Sequence, residues 1–144
     1  INPKLIEEAS KEFGSQCIVV AIDAKFNGKN WSVYTHGGKN KTELDALSWS
    51  KNVEQLGAGE ILMTSMDRDG TKTGFDNNLY ETLANNLNIP LIASGGAGEL
   101  NHLVDAIKIG KADAVLAASI FHYKEISIRK VKEVLKREGL DIRL

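Results

Sequence analysis

Cysteine is nearly missing from this sequence. Cys17 stands alone among 144 residues, so no disulfide framework can form within the chain. That usage suits a reducing, cytoplasmic compartment. Neither sign of charge dominates: 18 Lys and Arg face 19 Asp and Glu, for a formal net charge of -1. The basic residues are scattered, which leaves no electrostatic footprint for nucleic acid or an anionic membrane. No apolar run approaches the roughly 18 residues of a membrane span, and no signal-peptide pattern is present. His36, His102 and His122 lack metal-ligand spacing, so no metal is expected, and no cofactor is expected either. There is no P-loop, no Ser/His/Asp order and no low-complexity segment. The GGAG at 95–98 is not a dinucleotide fingerprint.

What is present fits a soluble α/β protein, with 42% hydrophobic and 26% charged residues. The length predicts about one domain, able to remove roughly two-thirds of its unfolded surface from water. The chain starts INPKLIEEA, without methionine. Asn2 is a good N-cap and Pro3 a good first helical residue, so a helix is predicted over 3–13, as though cut from something longer. CIVVAID, 17–23, is a continuous β-branched run ending in an acid. It reads as a strand buried on both faces. Asn27-Gly28 and the alternation of WSVYTH predict a small hairpin. Helices are predicted over 42–56, 77–87, 100–109 and 127–137. Strands are predicted over 60–65, 90–94 and 114–119.

Four strand-then-helix units therefore follow one leading helix, which predicts a parallel sheet. Two architectures compete: an open doubly wound sheet, and half of a (β/α)8 barrel. Both place ligands at the carboxyl ends of the strands. Those ends hold Asp23, the MDRDG at 66–70, Ser94-Gly95-Gly96 and Ala118-Ser119. Taken singly, each is more often a turn or a helix cap than a functional residue. Together Gly70, Gly95, Gly96, Ala118 and Ser119 gather small residues from three strands at one face. Small residues let backbone N–H groups approach a ligand, and an anion is the natural one. The segment IFHYKEI leaves room for the short extra helix that often accompanies a barrel phosphate site.

Asp23 stands apart. A carboxylate against apolar Val19 to Ile22 suits general acid or base work, through a raised pKa; alternatively it caps a turn or pairs with Lys25. Glu60 shares side-chain parity with Leu62 and Thr64 at the far end of its strand. It is either a solvated strand-start glutamate or an inward charge in need of a partner. Trp31, Trp49 and the tyrosines read as packing residues.

VVAIDAK, GAGEILMTSMDRDGTKTGFD, IASGGAG and AVLAASIFH closely resemble the cyclase subunit of imidazole glycerol phosphate synthase, the histidine-biosynthesis enzyme. The resemblance covers this chain nearly end to end, but only the carboxyl half of the family's barrel. It implies a single domain over 1–144: four βα units of a (β/α)8 barrel, preceded by one helix. It implies a lyase fed with ammonia by a glutaminase partner. The substrate is the bisphosphorylated phosphoribulosyl-formimino aminoimidazole carboxamide ribonucleotide. The products are imidazole glycerol phosphate and aminoimidazole carboxamide ribonucleotide. Asp23 matches one of two acid/base aspartates. Asp69, Gly70, Gly96, Ala118 and Ser119 match one phosphate site, beside which Gly95, Ser94 and Thr64 would also meet substrate. Glu60 matches a member of a charged ring gating ammonia entry. The half alone would be inactive, and its open edges would favour pairing with a second half or with itself. A phosphate-binding module without catalysis is the alternative. The phosphoribosyl isomerase of the same pathway is another, but MTSMDRDGTKTG and LAASIFHY resemble the cyclase better.

Overall fold

The computed structural model describes residues 2–143; the two ends of the expected 1–144 unit lie outside them. Helix α1 (Pro3–Phe13) has the expected bounds. Asn2 takes the N-cap position, but its side chain makes no capping bond. Pro3 sets the start, because the first helical residue needs no N–H partner. The sequence reading opens the first strand at Cys17. That residue instead ends a single 3-10 turn (Ser15–Cys17), and strand β1 runs Val19–Phe26. Asp23, expected at the strand's end, thus lies inside it. The extension is held by β2 (Trp31–Thr35), which pairs antiparallel with residues 23–26, and by the Phe26 N–H donating to Asp67 Oδ2 at 2.7 Å.

The hairpin is larger than the sequence suggests. A third strand, β3 (Asn40–Asp45), occupies the start of the expected helix. Thr42 turns its hydroxyl to the Val33 carbonyl at 2.8 Å, a cross-strand bond that keeps the segment extended. Helix α2 (Ala46–Gln55) begins only where Asp45 accepts the Ser48 N–H at 2.9 Å. Strand β4 (Glu60–Ser65) matches its expected bounds. Helix α3 (Asn77–Ala84) starts on the Asp76 cap and stops early, at Asn85-Asn86. Strand β5 (Leu91–Ser94) and helix α4 (Leu100–Lys108) fall within a residue of expectation. Strand β6 (Ala114–Leu116) ends before Ser119, because Ser119 opens the short helix α5 (Ser119–His122) for which the sequence left room. Helix α6 (Ile128–Arg137) follows its Ser127 cap.

The sheet order is β3-β2-β1-β4-β5-β6. Strands β1, β4, β5 and β6 are parallel and adjacent in chain order. A doubly wound sheet reverses its strand order and carries helices on both faces; neither occurs among the described residues. One face is packed. Ile22, Ala24, Ile61, Met63, Leu91 and Ala93 join one core with helix residues such as Val53, Leu79, Leu83, Leu103 and Val131. The opposite face is open, contrary to the expectation of a strand buried on both sides. Val19 is 49% exposed and Leu116 is 42% exposed. Apolar side chains therefore stand on a sheet face that no layer covers among the described residues.

Candidate functional site

The parallel register builds the site. Asp23 lies beside Thr64, Thr64 beside Ser94, and Ser94 beside Leu116. Since aligned residues share a face, these four form one row across the open side. Val19 and Glu60 are register partners at the other end. Glu60 is half-buried there and forms no ion pair among the described residues. Asp23 is likewise half-buried and unpaired among the described residues, so the pairing with Lys25 is not made.

Two cavities open at the top of this row. One, of about 290 Å³, is lined by Asp23, Gly37, Gly38, Thr64, Met66 and Asp69. The other, of about 170 Å³, lies between the loop after β4, the glycine loop after β5 and the β6–α5 junction. Asp69, Gly70, Ser94, Gly95, Gly96, Ala118 and Ser119 all line it, as does Lys72. Asp69 is the wall the two cavities share. The structure thus brings the expected acid and the expected anion cradle side by side, with Glu60 apart from both.

The bareness of the glycine loop has a cause that the sequence reading did not contain. Gly95 and Gly96 sit at φ 96° and 107°. A Cβ on Gly95 would come within 2.7 Å of the Ser65 carbonyl oxygen, and one on Gly96 would strike the Gly74 carbonyl. The Gly74 N–H donates to the Gly96 carbonyl at 2.8 Å. These glycines are needed first so that two loops can interlock. Gly70, at φ 74°, has nothing within 4 Å of its added Cβ and faces open space.

The amides of Gly70, Gly95, Gly96 and Ser119 donate to no backbone carbonyl among the described residues. Asp69 differs: its N–H donates to the Ser65 carbonyl at 2.9 Å, leaving only a carboxylate for a ligand. Behind the cradle, buried Tyr80 donates from its phenol to the Ser94 carbonyl at 2.5 Å. Burial, the largest cause, pushes that phenol's pKa well above its ordinary value. Asp76 accepts from the Trp31 indole at 2.9 Å, from Ser65 Oγ at 3.3 Å and from the Leu79 N–H at 3.2 Å. One carboxylate therefore ties the hairpin, β4 and α3 together beneath the loop that carries Asp69. His102 Nδ1 accepts the Gly98 and Glu99 amides, both at 3.2 Å, and so closes the glycine loop onto α4.

Sequence reasoning missed four lining residues, Ala97, Leu116, Ala117 and Lys72, of which only Lys72 is charged. A signal was there in the TKTG that directly follows Gly70. A separate groove of about 410 Å³ lies on α6 between Ile128, Arg129, Lys132 and Glu133, and shares no lining residue with the two cavities. Among the described residues no three His, Cys, Asp or Glu gather as a metal site would. No described helix is long and apolar enough to cross a membrane.

The fold and site define a class: an α/β protein with a mostly parallel six-stranded sheet, whose candidate ligand site lies where the parallel strands end. Within that class the chain belongs to the family described as histidine biosynthesis protein, whose model matches residues 1–127. Two relatives from Dehalococcoides mccartyi, strains BAV1 and CBDB1, are each called imidazole glycerol phosphate synthase subunit HisF. Each is 58% identical over 143 residues, covering 99% of this chain and 56% of the relative. The chain spans about half the length of the curated relatives it matches.

Proposed function

We propose that this chain supplies the second half of a (β/α)8 cyclase subunit of imidazole glycerol phosphate synthase. Its single domain, 1–144, would contribute four βα units and close against four more. Ammonia from a glutaminase partner would attack the bisphosphorylated ribulosyl-formimino substrate. The products would be imidazole glycerol phosphate and aminoimidazole carboxamide ribonucleotide, in a cytoplasmic lyase reaction that needs no cofactor. Asp23 takes a proton from the attacking nitrogen and returns one as the ring closes. The amides of Gly70, Gly96 and Ser119 hold one substrate phosphate, within a wall completed by Gly95 and Ala118. Thr64, Ser94 and Asp69 line the path between phosphate and acid. Glu60, at the far end of the open face, takes the gate position for ammonia.

The observation that carries this reading is the shared wall at Asp69, which sets the acid's cavity directly against the cradle. The test is Asp23→Asn in the full-length protein, with an ammonium salt as nitrogen source. Turnover should fall by about 10²–10⁴, the usual contribution of a general acid or base. A loss of less than about tenfold would remove Asp23 from that role.

The open sheet face favours a second reading for the chain by itself: a phosphate-binding half without turnover. Phosphate titration and a cyclase assay on the isolated chain separate the two. Full activity in the isolated chain would sink the second.

A further inference from the structure

We propose that Lys72 is a phosphate ligand which Glu125 holds at the cradle's rim until the anion arrives. The inference rests on the phosphate reading of the cradle and adds to it a residue and an exchange. Lys72 is the one cation lining that cavity among the described residues, and Asp69 the one anion. The base of its side chain is fixed. A Cβ built on Gly98, next to the lining residue Ala97, would meet the Lys72 carbonyl and also Lys72 Cβ at 2.8 Å, so the base of the lysine packs against the glycine loop beside the cavity it lines. Its tip is not fixed in the same way. Lys72 Nζ sits 2.6 Å from Glu125 Oε1, in the connection between α5 and α6. The two side chains are 44% and 39% exposed. An ion pair that open contributes little and is easily exchanged.

Phosphate offers more charge and more acceptor oxygens than one carboxylate, and an ammonium on a flexible stem suits it as a point charge with three donors. Arg68, on the same loop, is placed otherwise. Its guanidinium donates to Thr73 Oγ1 at 3.3 Å and does not line the cavity. As phosphate enters, the Lys72 ammonium passes from Glu125 to the anion, and the α5–α6 connection loses its tie to the loop.

Glu125 is then a competitor, which gives the two partners of one ion pair opposite effects. Inorganic phosphate is titrated into the 144-residue chain, followed by the amide signals of Gly95, Gly96 and Ser119. Lys72→Ala should weaken binding about tenfold, and Glu125→Gln should tighten it about threefold, in keeping with one charge-assisted contact. The gain from Glu125→Gln should vanish in the Lys72→Ala background. If both single variants weaken binding, the pair only pins the loop and the exchange is wrong. If the gain survives without Lys72, Glu125 merely repels the anion and the exchange is again wrong. A parent chain that shifts none of the three amides would remove the cradle itself; the two failures are thus told apart.

Discussion

Gly70 and Gly96 are the same residue for different reasons, and substitution separates them. An alanine at Gly70 meets open space and suffers only its φ of 74°, a cost of about 1–2 kcal/mol. An alanine at Gly96 carries a similar penalty and also drives its Cβ into the Gly74 carbonyl, which neighbouring backbone cannot yield cheaply. We expect Gly70→Ala to stay folded and to bind phosphate more weakly. Gly96→Ala should lose at least twice as much unfolding free energy as Gly70→Ala in urea titrations. Equal losses would mean the loops are not interlocked. This also marks what was legible at the site. The small residues were visible in the sequence as a group because each lies just past a strand, in the loop that follows it. Their packing partners were not, since Gly96 and Gly74 meet only after the loops of β4 and β5 come together. Lys72 escaped for a related reason: its partner Glu125 lies 53 residues away.

Helix α3 shows how an element supports the site without touching a ligand. Its Tyr80 reaches the end of β5 and fixes the Ser94 carbonyl, just before the glycine loop turns. Tyr80→Phe leaves that buried acceptor without its donor and should cost about 1–3 kcal/mol near pH 8. The phenol's raised pKa gives the cost a pH dependence. The folded state holds the proton more tightly than the unfolded chain, so the stabilisation is complete below pH 10 and is lost as pH rises above it. The gap between parent and variant should narrow by about 1.4 kcal/mol at pH 11, one unit above an unfolded tyrosine's value. Urea unfolding at the two pH values measures it, and an unchanged gap would contradict the assignment. Elements bounded by local signals were the legible ones. Pro3 and Gly14 bracket α1, and Gly59 and the polar loop at 66–70 bracket β4. Strand β3 was read as helix because Leu44 continues the spacing of Leu47, Val53 and Leu56. What makes it a strand is Val33 on the neighbouring strand, which no local window contains.

For the whole molecule the decisive feature is the uncovered face. Leu62 and Ile92 are register partners there, flanked by Ala21 and Ala114. The isolated chain should therefore associate with itself, its average mass in sedimentation rising with concentration. Leu62→Asp should reduce that association and leave the unfolding midpoint nearly unchanged, since this side chain is not in the packed core. A large loss of stability would place Leu62 inside the fold instead. The edges of the sheet carry a further consequence. Strand β2 takes up the outer edge of β1 only from Asp23 to Phe26, so Val19 to Ile22 remain unpaired on that side among the described residues. In the closure proposed above, an arriving strand would pair along those four residues and meet the hairpin there. The hairpin would then act as a doorstop, stopping the strand at the level of the Asp23 carboxylate and giving the joint one depth of insertion.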